Sequence, residues 1–411
     1  MRAKRFAGVI AGLATAGLIA GCAAGGGDAA KGDETVTLWV YPVIADEAKH
    51  KAFWDETVAA FEKENTDIKV KYEIFPWANR DESLQTAIAA NKGPDLVYLI
   101  PDQLMAYQKS IEPMDKYLSK DRKSEILPNV TKSVTIDGHM MGAPLLTSAT
   151  PLLCNAAVFK EAGVTEYPET WEDALRIAPK FTEKGLHLFN YTASAEATLN
   201  MTFYPLLWQA GGAVYGKDGS VAFDGKAGTE ALTFLSDLAK MGALDPDALT
   251  SLPATEQSGI ATGKTACSWV NSVTELAPFW GEENVKVLAP LKDKKSITYG
   301  TVGSLSMLKG SKVKDAAGKF ADFATSAEVL KPYLTEAGFF SALDTAPLYP
   351  ADSLQGQVEK YVSSTTVGEL APSSRALMGV VSPEIQAALL GQKSPKQALS
   401  DAAKAAAPLL K

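Results

Sequence analysis

Hydrophobic and polar positions alternate between two periods from Thr35 onward. "TVTLWV" (35–40) reads as a strand, and residues 46–64 then carry Phe53, Thr57, Ala60 and Phe61 on one face of a helix with charges opposite. "IKVKYEIF" (68–75) alternates Ile68, Val70, Tyr72 and Ile74 with Lys69, Lys71 and Glu73, as a strand near a sheet edge would. A second helix follows and ends at Gly93, which reads as a left-handed cap, with Pro94 preventing continuation. The unbroken apolar run "LVYLI" (96–100) is then a buried parallel strand. The order is β-α-β-α-β, the pattern of a sheet wound by crossover helices.

A second region with its own core begins near residue 155. "FKEAGV" closes a helix on Gly163, and "TWED" opens the next with Thr170 as N-cap. Residues 227–241 place Leu232, Leu235, Leu238 and Ala239 on one helical face. "SPKQ" (394–397) supplies a Ser cap, a Pro at the first helical position and a capping-box Gln. The fold class is therefore α/β, and about 390 residues after the N-terminal segment exceed what one core usually supports, so two domains are expected.

The first 21 residues follow neither period. Arg2, Lys4 and Arg5 form a basic start, and Val9 to Ala20 an apolar core too short to span a bilayer. Ile19-Ala20-Gly21-Cys22 resembles the lipobox of bacterial lipoproteins, which implies cleavage before Cys22 and lipid on its sulfur. An ordinary signal peptide with a chance cysteine is the alternative. Residues 22–34, mostly Ala, Gly, Asp and Lys, have little to bury and read as a flexible tether.

Loss of residues 1–21 removes three positive and no negative side chains, taking the formal charge from −8 to −11. An acidic chain without a basic run excludes nucleic acid and anionic membrane surfaces as partners, leaving the lipid as its membrane contact. Cys154 and Cys267, each among apolar or strand-forming neighbours, read as two free buried thiols, with a disulfide as the alternative. His50, His139 and His187 have no metal-ligand spacing, and no nucleophile elbow, phosphate loop or dinucleotide fingerprint is present. The reading is a non-enzyme with no cofactor and no metal.

The aromatic residues are the informative feature. Ligands of open α/β sheets bind outside the carboxyl ends of the strands, where the chain here exits through Trp39 and Tyr41, through "FPWANRD" and through "IPDQ". Trp77 and Asp102 point toward one crevice on this reading, whereas Trp39, in mid-strand, reads as core. A sugar presents an apolar face of C–H bonds to an aromatic ring and a rim of hydroxyls to Asp, Asn or Arg, so this composition suits a carbohydrate.

The ordered fragments "FEKENTDIKVKYEIFPW", "SLQTAIAANKGPDLVYLIPD", "DGHMMGAPL", "LLCNAAVFKEAG", "PETWEDAL", "TFYPLLWQAGG", "GIATGKTACSWV" and "FADFATSAEVLKPY" resemble the solute-binding proteins of carbohydrate-uptake ABC transporters, the family that includes the maltose-binding protein. Two departures are Cys154, where an aromatic often precedes the Asn, and Cys267, where Met is common. The resemblance implies a two-lobe periplasmic-binding-protein-like fold with a hinge and an interlobe ligand cleft. Lobe 1 would hold 35–152 and 302–343, and lobe 2 would hold 153–301 and 344–411. Carried over by position, the ligand-facing candidates are Tyr41, Trp77 and Asp102 in lobe 1, then Trp208, Trp269, Asn271 and Arg375 in lobe 2. Gly303 would let backbone approach the ligand at the crossing. Trp208 fits helix packing equally well, Arg375 fits a surface cation, and Tyr204, Trp280 and Phe340 are further candidates in more core-like settings. The implied protein is an anchored, extracytoplasmic monomer that delivers a mono- or oligosaccharide to permease subunits. An anchored carbohydrate-active enzyme and a sensor for a receptor kinase are the competing classes.

Overall fold

The computed structural model describes residues 34–194, 198–251, 255–345 and 347–410. Cys22, the signal segment and most of the tether lie outside the described residues. Strands β1 (Glu34–Val40), β2 (Ile68–Ile74), β3 (Leu96–Leu99) and β4 (Ile111–Glu112) come first. A small hairpin of β5 (Thr135–Ile136) and β6 (His139–Met140) leads to β7 (Ala143–Thr147). Four strands of a separate sheet follow: β8 (Leu152–Asn155), β9 (His187–Asn190), β10 (Thr265–Ser268) and β11 (Val285–Leu288). The chain then passes through β12 (Thr298–Tyr299) and returns to the first sheet as β13 (Val302–Leu308), and β14 (Thr365–Thr366) pairs with β12.

The first sheet runs β2-β1-β3-β13-β4, with β7 also on β13. β1 is parallel to both β2 and β3, as the crossover helices α1 (Glu47–Glu64) and α2 (Arg80–Ala89) require. β13 is antiparallel to its neighbours and buried along its whole length. Val36, Leu38 and Val40 of β1 and all of β3 are buried in a core that draws on residues 36–146 and 302–343. The second sheet, ordered β11-β8-β10-β9, has its own core from residues 152–299 and 367–406. Between the two, Leu153, Trp280, Phe340, Val358 and Val362 belong to a smaller cluster.

Local signals explain most element ends. Thr170 Oγ1 accepts from the Asp173 amide at 3.0 Å while Asp173 accepts from the Thr170 amide at 3.2 Å, a reciprocal cap for the helix Trp171–Thr182. Gly163 takes a positive φ of 67° after its helix, as expected. Gly93 does not: Asn91 makes the left-handed turn, with φ of 52°, and Gly93 instead leaves room for Leu308, whose Cδ1 would lie 2.5 Å from an added Cβ. At Ser394 the hydroxyl caps as predicted, but Gln397 reaches forward to Asp401 at 2.8 Å instead of back to the cap.

The cysteine reading needs correction. β8 and β10 are adjacent antiparallel strands whose register sets Cys154 opposite Cys267, and the two form a disulfide across a sequence separation of 113 residues. Apolar flanking residues identify a buried position but say nothing of strand register, which alone decides the distance. Closing so long a loop restricts the unfolded chain. Replacing both cysteines by Ala should lower unfolding free energy by about 2–4 kcal/mol, read from the denaturant midpoint. An unchanged midpoint would mean that the bond contributes nothing.

Candidate interlobe binding site

Three chain segments meet at the carboxyl ends of β1, β2 and β3. Tyr41 follows β1 and is 1% exposed, Tyr98 lies within β3, and Trp77 stands in the loop after β2, where it is 39% exposed. The Trp77 indole donates through Nε1 to the Pro42 carbonyl at 3.0 Å, which fixes the ring beside β1. It stacks on Tyr41 with centroids 5.1 Å apart and an interplanar angle of 21°, and meets the edge of Tyr98 at 5.9 Å. Asn79, in the left-handed conformation, turns this loop into α2, and the Arg80 guanidinium comes to lie over the Trp77 ring at 5.0 Å. The result is an aromatic platform with one partly exposed tryptophan.

Beside the platform stands a charged cluster. Helix α3 (Pro101–Tyr107) begins directly after β3 and presents Asp102, 5% exposed, in its first turn. Arg375, in the first turn of the helix Ser374–Leu389, places Nε 2.8 Å from Asp102 Oδ2 and 3.6 Å from Asp81 Oδ2. Asp81 is held from behind, because its Oδ1 accepts from Gln103 Nε2 at 2.7 Å and its carbonyl from the Tyr107 hydroxyl at 3.2 Å. Burial raises the Asp102 pKa and Arg375 opposes that rise. Burial likewise raises the Tyr299 pKa, with the Asp102 carboxylate adding to the effect and Arg375 working against it. Arg375 Nε and Nη2 are both buried with no hydrogen-bond partner among the described residues, so the contact with Asp102 is one of charge. That leaves a donor to spare.

Of the predicted residues, Tyr41, Trp77, Asp102 and Arg375 are thus brought to one place. The others lie apart from this cluster. Trp269 is 6% exposed, packs on Phe189 at 5.0 Å and Tyr191 at 5.9 Å, and its Nε1 donates to the Thr202 carbonyl at 3.3 Å. Trp208 is buried between Tyr204 and Gly368, where an added Cβ would fall 2.2 Å from the indole. Asn271 Oδ1 accepts from Ser268 Oγ at 2.7 Å and from Asn190 Nδ2 at 3.1 Å. Gly303 makes room for Tyr98, whose hydroxyl would lie 2.2 Å from an added Cβ. Tyr204, Trp280 and Phe340 are buried. Sequence reasoning passed over Tyr98, hidden in an apolar strand, and Arg80 and Asp81, which open α2 directly after the Trp77 loop.

Exposure separates the two tryptophans in one measurement. Trp269→Ala should leave a core cavity costing about 3–5 kcal/mol and lower the melting temperature sharply. Trp77→Ala should cost far less, because water already reaches part of that ring. Equal losses would put both rings in the core.

Residues 45–331 match the family model described as bacterial extracellular solute-binding protein. A protein of Brucella abortus (strain 2308) described as a binding protein is 25% identical over 428 residues, 99% of each chain. The diacetylchitobiose binding protein of Streptomyces coelicolor (strain ATCC BAA-471 / A3(2) / M145) is 26% identical over 345 residues, 77% of this chain and 78% of the relative. Among solved structures, the cyclic α-maltosyl-1,6-maltose binding protein of Arthrobacter globiformis superimposes with a TM-score of 0.78 at 19% identity, covering 92% of this chain and 100% of that one, which shows a shared fold. The chain, with its two-lobe fold, belongs to the bacterial extracellular solute-binding protein family.

Proposed function

We propose that this chain is a lipid-anchored, extracytoplasmic monomer that captures a mono- or oligosaccharide between its lobes and hands it to an ABC permease without changing it. The lobes are assigned as 35–152 with 302–343 and 153–301 with 344–411. The observation that carries the reading is the Tyr41–Trp77 platform set beside the Asp102–Arg375 pair. An apolar sugar face fits the ring, and vicinal hydroxyls fit a carboxylate and a guanidinium with an unused N–H. Tyr41, Trp77, Asp102 and Arg375 are the proposed contacts, while Trp208, Trp269, Asn271 and Gly303 shape the walls behind them. Sugar ligands in the names of the Streptomyces and Arthrobacter proteins support the same class. The Cys154–Cys267 disulfide is in keeping with an oxidising compartment outside the cytoplasm.

A thermal-shift screen over a saccharide library should yield a ligand, and that ligand should come back chemically unchanged by chromatography after long incubation with the protein. For that sugar, Trp77→Ala should lose on the order of 2 kcal/mol of binding, or about thirtyfold in affinity by calorimetry. Turnover of the sugar would replace the binder by an enzyme, and undiminished affinity would remove Trp77 from the site.

Lipid on Cys22 is tested separately. Labelling with a radioactive fatty acid should mark the wild-type protein in membranes, and Cys22→Ala should be unlabelled and leave the membrane fraction. A wild type that takes up no label would end the anchor reading.

A further inference from the structure

Arginine is used sparingly in this chain, six residues against 34 lysines, yet two of the four arginines among the described residues stand at the platform. Three of those four are paired: Arg122 with Glu125 and Asp322, Arg176 with Asp173, and Arg375 with Asp102 and Asp81. Arg80 forms no ion pair and no hydrogen bond through its side chain among the described residues, and its guanidinium lies over the Trp77 ring at 5.0 Å. Its neighbour Asp81 is engaged elsewhere, with Oδ1 accepting from Gln103 at 2.7 Å and from the Tyr107 hydroxyl at 3.3 Å, and Oδ2 facing Arg375 at 3.6 Å. Resting on the proposal of a saccharide ligand, we infer that Arg80 is a specificity residue that recognises an anionic substituent on that saccharide, the carboxylate of a uronic acid.

The surroundings fit that role. A guanidinium held over an aromatic ring by its charge keeps its N–H donors, which lie in its own plane, for another acceptor. Their fork geometry matches a carboxylate bidentately, and a carboxylate only accepts, whereas a hydroxyl must also place a proton. The Arg80 charge acts toward the platform, since it opposes the rise in pKa that burial causes at Tyr41, Tyr98 and Asp102. Across the cluster the carboxylates of Asp81 and Asp102 are already answered, while Arg375 Nη2 adds a second donor without a hydrogen-bond partner. The surplus is thus of donors. Helix stability does not account for Arg80, because a cation at the first position of α2 opposes the helix dipole that Asp81 and Glu82 favour. In an acidic chain, an anionic ligand depends on such a local cation.

Calorimetry on the full-length chain in detergent, at neutral pH and low salt, tests this with glucuronate, galacturonate, mannuronate and their oligosaccharides beside the neutral glucose, galactose and mannose counterparts. At least one uronate should bind about tenfold or more tighter than its neutral counterpart, and added salt should narrow that gap. The methyl ester of the same uronate keeps the ring and loses the charge, so it should bind the unaltered protein only as well as the neutral sugar. Arg80→Gln should abolish the preference, and Arg80→Lys should retain part of it, because the charge stays while the planar fork is lost. Neutral sugars that bind as tightly as every uronate, an ester that binds as tightly as its acid, or a preference that survives Arg80→Gln would overturn the role of Arg80 and leave a saccharide binder. Failure of every saccharide, neutral or acidic, to bind would overturn both proposals. The ester comparison needs no substitution and decides the matter even if Arg80→Gln proves unstable.

Discussion

Everything in this molecule hangs from the place where its chain crosses between two cores. Residues 147–150 and 298–301 run side by side, with Ser148 N–H donating to the Thr301 carbonyl and Thr150 N–H to the Tyr299 carbonyl. Thr147 and Phe340 exchange both of their backbone hydrogen bonds at 3.0 and 2.9 Å. Gly300 is required here, since an added Cβ would fall 2.3 Å from the Ser148 carbonyl oxygen and 2.5 Å from Thr365. A side chain at that point would push apart the segments that align the lobes. Because the crossings are short and backbone-paired, a small rotation about them becomes a larger displacement at the cleft mouth.

That leverage gives the charged cluster its importance. Many ion pairs among the described residues lie on helix surfaces, such as Lys51 with Asp55 and Lys240 with Asp237, where water screens both partners and little stability results. Asp102 and Arg375 differ in that one partner is buried and the two belong to different lobes. Asp102 and Arg375 answer each other's charge across the two cores.

The aromatic residues divide by what they touch, not by their chemistry. Trp54, Trp171, Trp208, Trp269 and Trp280 are core residues, each under 9% exposed, while Trp77 stays partly open because Asn79 turns its loop outward into α2. Tyr41 is buried but still contributes, since its ring backs the exposed indole. Holding a recognition ring against a buried one reduces the ordering cost that a lone surface side chain would meet on binding.

Periodicity and punctuation in the sequence were enough to place β1 to β3, their crossover helices, the Thr170 and Ser394 caps and the α/β class, because these depend on neighbours within a few residues. The loop residues at the strand ends, Tyr41, Trp77 and Asp102, were legible for the same reason, since the winding of the sheet sends all three to one edge. Contacts set by register or by lobe packing were not. The disulfide depends on β8 lying beside β10 across a separation of 113 residues, and no local pattern encodes which strand is next to which. Trp269 packs into the second core and Asn271 Oδ1 accepts from Ser268 and Asn190, contacts that no local pattern in the sequence encodes. Arg375 was a candidate by position, with a surface cation as the alternative, but its pairing with Asp102 was not legible, because an ion pair between residues 102 and 375 exists only in the folded arrangement.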